Sequence, residues 1–263
     1  MTFDLITFGD SVTKGCGVGY EKGMSHKEYQ KIFYDEEINN KYAFRSILSD
    51  RWGCDNINFA CMGSSNMKQF RLATEYFKSK PKRRTVVLWA TTTVCRHEMW
   101  FNKRDKGGKG YGDLRYNHRY KLIKCKNEIS DLESDLFRKK PKIREDDVFE
   151  KGINIVDYIN NHFDKENEVR ILSKQMTHWN LFFEGLGIEN YWVDTGISHD
   201  YPSMNPRMLF NDKPKRDLLS QSHIKLDPYS GHPTKESHVK IADMIDEEIN
   251  LINNIRQDKK RHE

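Results

Sequence analysis

Two short segments at opposite ends of the chain hold the residue types of nucleophilic catalysis. Ile6-Thr7-Phe8-Gly9-Asp10-Ser11 runs out of an apolar stretch into a glycine turn. A serine placed just after a buried strand presents its hydroxyl and its backbone N–H to one cleft. A nucleophilic hydroxyl needs those things: exposure, a fixed rotamer and a nearby donor for the oxyanion. Near the other end, Asp227-Pro228-Tyr229-Ser230-Gly231-His232-Pro233 puts a carboxylate and an imidazole in one loop, with His238 following. An imidazole facing Ser11 takes its proton as the hydroxyl attacks an ester carbonyl, then returns it to the leaving alcohol. Taken alone, a Gly-Asp-Ser tripeptide is an ordinary turn, so the pairing of the two ends carries the reading.

Other chemistry is thinner. Cys16, Cys54, Cys61, Cys95 and Cys125 are odd in number and lack CxxC spacing, which fits reduced structural thiols rather than a disulfide framework or a zinc site. That points to a reducing, intracellular setting. Arg96-His97-Glu98 reads either as a polar substrate clamp or as a surface ion pair, and its spacing matches no metal motif. His238 reads as a structural residue on a helix face. His178, Trp179 and the stretch from His199 to Pro206 line a pocket or pack as loop, with nothing in their spacing to choose.

The elements that must position these residues alternate. Strands are expected at Phe3–Phe8, Asn56–Ala60, Thr85–Ala90, Val169–Leu172 and Tyr191–Val193. Residues 12–26 read as loop. Helices are expected over Tyr42–Trp52, stopped by Gly53, over about Ser64–Ser79, and from Thr234 through Ile241, Ala242, Ile245, Ile249 and Ile252. Leu122, Cys125, Ile129, Leu132 and Leu136 recur at helical spacing, and Ile153, Val156 and Ile159 resume a helix. Residues 196–231 read as surface loop, and the polar tail 256–263 as frayed. Strands alternating with helices imply a parallel sheet covered on both faces. Sites in such sheets lie at the carboxyl ends of the strands, here the loops after Phe8, Ala60 and Ala90.

In their order along the chain these blocks resemble the SGNH/GDSL hydrolase family. That family places its nucleophile in the first block, and its base near the end in a D-x-x-H-P pattern. Phe59-Ala60-Cys61-Met62-Gly63-Ser64-Ser65-Asn66 looks like its second block. Val86 to Thr93 falls where it has G-x-N-D. The resemblance implies an α/β fold: a three-layer α/β/α sandwich on a mostly parallel five-stranded sheet of flavodoxin-like topology. It would form one domain over 1–255, with a charged helical insertion at about 100–150. It also implies a serine hydrolase of carboxylic esters, O-acetyl groups on carbohydrates among them, needing no cofactor and no metal. Carried over by position, Ser11 is the nucleophile and His232 the base, with the Ser11 and Gly63 amides in the oxyanion hole. Thr92 stands at the family's Asn position, and Asp10, Arg96 and Glu98 lie on the substrate side. The residue three before His232 is Tyr229 rather than Asp. Either Asp227 reaches the ring through a looser loop, or a backbone carbonyl orients the ring and Ser11 and His232 act as a dyad.

Composition sets the limits. The chain has 263 residues and a net charge of +5. No apolar run approaches the ~20 residues of a membrane helix, and Met1 to Leu5 does not read as a signal sequence. Residues 103–126 hold nine Lys or Arg against two acids, or +7, so the remainder of the chain sums to −2. This segment reads either as a lid or docking arm for an anionic substrate or partner, or as a solvated helix. The basic charge has no RNA-recognition signature behind it, so nucleic acid is not expected as a partner. Abundant Lys, Asn and Ile fit an AT-rich genome, viral or bacterial. Two other readings stay open: an acyltransferase using the same site, and a catalytically degenerate binding module.

Overall fold

A computed structural model of the chain describes residues 3–79, 81, 83–92, 94, 96–100, 120–124, 164–195, 207–210, 218–221 and 223–262. Its elements run β1 (Asp4–Phe8), α1 (Ser11–Lys14), α2 (His26–Phe33), α3 (Glu36–Tyr42), α4 (Phe44–Trp52), β2 (Asp55–Asn58), α5 (Asn66–Tyr76), β3 (Thr85–Thr91), β4 (Arg96–Trp100), β5 (Tyr120–Lys124), α6 (Lys165–Leu186), β6 (Glu189–Asp194) and α7 (Lys235–His262). Four strands form one parallel sheet in the order β2-β1-β3-β6. This is the flavodoxin-like order over the strands present.

Alternation along the strands divides the core into two layers. Leu5, Val86, Leu88, Tyr191 and Val193 face α4 and α7, against Phe44, Leu48, Ile241, Ala242 and Ile245. Ile6, Phe8, Val87, Trp89 and Trp192 face α5 and α6, against Phe70, Ala73, Leu172, Met176 and Phe183. The described sheet is therefore the middle of three layers. β1 and β3 are buried along their whole length, as strands covered on both faces must be. Under the carboxyl edge, aromatic rings stack across register partners: Phe8 on Trp89 with centroids 4.4 Å apart, and Trp89 on Trp192 at 4.8 Å.

Several expectations need correction. Among the described residues the sheet has four strands, not five, because Val169–Leu172 lies inside α6. Those four residues match a strand when read alone. Leu172, Met176, Trp179 and Phe183 continue the 3–4 spacing of a helix face, and Leu172, Met176 and Phe183 are buried. Beside β6, where a fifth strand would add, the described residues form one isolated bridge, from Trp192 to Met208. Trp192 N–H donates to Arg207 O at 3.0 Å, and Leu209 N–H to Trp192 O at 2.8 Å. Met208, Leu209 and Phe210 are buried, so this part of the expected surface loop belongs to the core. The loop expected over 12–26 opens instead with α1, followed by turns up to α2. Arg96–Trp100 and Tyr120–Lys124 pair as an antiparallel ribbon. Leu122 therefore sits in a strand rather than at the start of a helix; the rest of that expected helix, and the one at 153–159, lie outside the described residues. α7 continues through the polar tail to His262, where no glycine or proline stops it. No helix among the described residues is long and apolar enough to cross a membrane.

Trp89 is fully buried between both aromatic neighbours. Trp89→Ala is expected to destabilise the protein by about 3–5 kcal/mol, measured by urea unfolding.

Candidate active site

β1 delivers the chain to Gly9, where the turn into α1 leaves no room for a side chain. A Cβ there would stand 2.1 Å from Thr13 Oγ1 and 3.0 Å from the Ala90 Cβ. Asp10 caps α1 and is buried: Oδ1 accepts from Val12 N–H at 3.0 Å, and Oδ2 accepts from the Thr92 hydroxyl at 3.1 Å. One carboxylate thus ties the turn after β1 to the end of β3. Ser11 becomes the first residue of α1, where an amide has no carbonyl one turn back to bond.

The second half comes from the loop before α7. Leu226 and Pro233 form an antiparallel bridge that closes it, and Asp227 N–H donates to His232 O at 2.8 Å. The buried Asp227 carboxylate collects four donors. Oδ1 accepts from Tyr229 N–H at 2.9 Å and Ser230 N–H at 2.7 Å; Oδ2 accepts from His232 N–H at 2.8 Å and the Ser230 hydroxyl at 2.7 Å. The imidazole is left facing the first segment: His232 Nε2 lies 2.7 Å from Ser11 Oγ, across 221 residues of sequence. Its Nδ1 lies 2.8 Å from Ser230 Oγ, which in turn lies 2.5 Å from the Tyr29 hydroxyl on α2. The Phe33 ring meets the imidazole edge to face at 5.2 Å.

Asp227 therefore takes neither of the two arrangements expected. The Ser230 hydroxyl stands between its carboxylate and the ring nitrogen. Ser230, two residues before His232, lay in view in the sequence, but spacing alone does not say which way its hydroxyl turns. Tyr29 comes from α2, a helix not expected from the sequence although Ser25 and Glu28 form a capping box at its start, a signal that was there to read. Gly17 was also missed. Its φ is +89°, and a Cβ there would come 2.6 Å from His232 Cβ and 3.1 Å from Asp227 Oδ2, so its backbone supports the histidine loop.

The second and third blocks meet beside Asp10. Ser64 N–H donates to Cys61 O at 3.1 Å, closing a turn in which Gly63 has φ +64°, a conformation that glycine adopts at little cost. Asn66, at the start of α5, clamps the Thr92 backbone: Nδ2 donates to Thr92 O at 2.7 Å, and Oδ1 accepts Thr92 N–H at 2.9 Å. The single hydroxyl proton of Thr92 lies on Asp10, so this side chain braces the turn. Arg96 and Glu98 lie on β4; their side chains are outside the described residues, as are residues 199–206. His178 and Trp179 line a groove of about 420 Å³ between α5 and α6, whose lining includes neither Ser11 nor His232.

His238 is fully buried. Its Nδ1 accepts from Phe44 N–H at 3.2 Å and its ring stacks on Phe44. Burial, with help from the neighbouring His232 and Arg45, pulls its pKa down to about 3. Cys16 is buried and its thiol is pushed up to about 12 by that burial, which keeps it protonated and inert. Among the described residues no cluster of His, Cys, Asp and Glu is placed to hold a metal ion.

No protein-family model matches the chain, and a search of curated proteins finds no match. Among solved structures it is similar to a carbohydrate esterase family 2 enzyme plus carbohydrate-binding domain from Corynascus thermopiles (Myceliophthora fergusii). The TM-score is 0.39 and the identity 12%, over 95% of this chain and 66% of that one.

Gly17→Ala is expected to cost about 1–3 kcal/mol of stability and to move His232 out of hydrogen-bond reach of Ser11, checked by thermal unfolding and a crystal structure. His238 gives a pH signature. The unfolded chain takes up this proton near pH 6.5 and the folded chain only near 3. Its contribution is therefore complete above pH 6.5 and is lost as the pH falls towards 3. Unfolding midpoints for His238→Asn, which keeps an acceptor for Phe44 N–H, should fall less steeply than wild type over that range.

Proposed function

We propose that this protein is a serine hydrolase of carboxylic esters, with Ser11 as nucleophile and His232 as general base. The observation that carries the reading is the 2.7 Å contact between Ser11 Oγ and His232 Nε2, at the carboxyl edge of a parallel sheet where such sites lie. His232 takes the Ser11 proton as Oγ attacks the ester carbonyl. The tetrahedral oxyanion is met by backbone N–H groups, those of Ser11 and Gly63. Loss of one such donor typically costs about 2.7–4 kcal/mol in the transition state. His232 then protonates the departing alcohol, an acyl group remains on Ser11, and water activated by the same imidazole releases it. With the Thr92 hydroxyl turned to Asp10, the hole relies on backbone donors. The substrate class proposed is a short acyl ester on a polar carrier, such as an O-acetyl sugar; this rests on the resemblance of the blocks described above.

The test is turnover of a short activated acyl ester. Ser11→Ala is expected to lower kcat by about a million-fold while unfolding behaviour is kept, and a serine-reactive phosphonate should label Ser11 in the wild type only. Undiminished turnover in Ser11→Ala would sink the reading.

A further inference from the structure

We propose that Ser230 is a positioning residue of this site: its hydroxyl transmits the pull of Asp227 to the His232 ring and fixes which ring nitrogen carries the proton. The inference rests on reading Ser11 and His232 as nucleophile and base. It follows from counting protons at one oxygen. A serine hydroxyl has one proton to give and two lone pairs to receive with. Ser230 Oγ has three close partners: Asp227 Oδ2 at 2.7 Å, His232 Nδ1 at 2.8 Å and the Tyr29 hydroxyl at 2.5 Å. A carboxylate only accepts, so the Ser230 proton goes to Asp227. Both other partners must then donate. Tyr29 is able to, because burial raises its pKa and keeps the phenol protonated. His232 Nδ1 must likewise carry a proton, which leaves the lone pair of Nε2 towards Ser11, the tautomer a general base requires.

The arrangement replaces the direct bond between carboxylate and imidazole with two bonds in series. Asp227 cannot slip out of it easily, because its three backbone donors, from Tyr229, Ser230 and His232, hold the carboxylate in the loop. Ser230 is held in turn from α2 by Tyr29, whose ring also packs on Tyr229 at 5.3 Å. When His232 accepts the Ser11 proton, the Nδ1–H bond to Ser230 and the Ser230 bond to Asp227 strengthen together, as hydrogen bonds in a chain polarise one another. No atom changes owner in this part of the chain; Ser230 keeps its proton.

The experiment compares the full-length wild type with Ser230→Ala, Ser230→Thr and Ser11→Ala. Imidazole nitrogen chemical shifts report the His232 tautomer, and steady-state kinetics on p-nitrophenyl acetate report turnover. The wild type should show the Nδ1–H tautomer, and Ser230→Ala a mixture of tautomers, with kcat lowered about 100-fold and KM unchanged. Ser230→Thr, which keeps the hydroxyl, should restore both. An Nε2–H tautomer in the wild type overturns the proposal without any variant, and so does a Ser230→Ala protein with the wild-type tautomer and kcat. Failure of the hydrolase reading is distinct: it would appear as full activity in Ser11→Ala, and the tautomer measurements would still decide the role of Ser230.

Discussion

The buried carboxylate of Asp227 is the constraint around which the candidate site is organised. A carboxylate in a protein interior is costly unless its oxygens are filled by donors. Here four donors converge from the five residues that follow it. Filling them curls the loop from Asp227 to His232 into one shape, and that shape aims the imidazole at Ser11. Gly231, with φ +69°, allows the chain to turn back, and the Leu226–Pro233 bridge closes the base of the loop. A more open loop would leave donors or oxygens unmet, so the histidine direction follows from satisfying the aspartate.

A second buried carboxylate does the corresponding work at Ser11. Asp10 fills one oxygen with the Val12 amide of α1 and the other with the Thr92 hydroxyl at the end of β3. The turn after β1 is therefore fastened to the neighbouring strand, and Ser11 inherits its place. The two halves meet because β1 is central in the sheet and α7 packs across the face that Leu5 shares with Phe44 and Leu48. Gly17 lets the backbone following α1 press against the histidine loop at a distance no side chain would permit. Two electrostatic anchors and one close backbone approach hold a contact between residues 221 positions apart.

Much of this was legible in the amino-acid order. β1, β3 and β6 coincide with short apolar or β-branched runs, β2 overlaps the expected strand at Asn56–Asn58 although it is mostly polar, and the helices ending at Gly53 and beginning after Thr234 carry clear signals. The two segments that hold Ser11 and His232 stood out by residue type. The errors came where a short window was read without its context. Val169 to Leu172 looks like a strand until Met176 and Phe183 are seen to continue its buried face. Leu122 looks like the start of a helix until the partner strand at 96–100 is known. A four-residue apolar run has no period of its own, so tertiary packing decides its state.

The sequence by itself determined that Ser11 would follow a buried strand at the carboxyl edge of a parallel sheet, because apolar runs alternate with helical patterns along the chain. That His232 in the last loop would face it was implied by the resemblance of the blocks, not by hydrophobic pattern. Only the tertiary structure decided how Asp227 stands to the His232 ring. Hydrogen-bond direction at Ser230 depends on three partners, one of them on α2, and on a side-chain rotamer that spacing does not encode. The same holds at Thr92, whose hydroxyl has one proton and, by its place beside Asp10, gives it to the turn. Residue type sets what a group is able to donate. Where its one proton goes is set by what the fold brings within 3 Å or so of it.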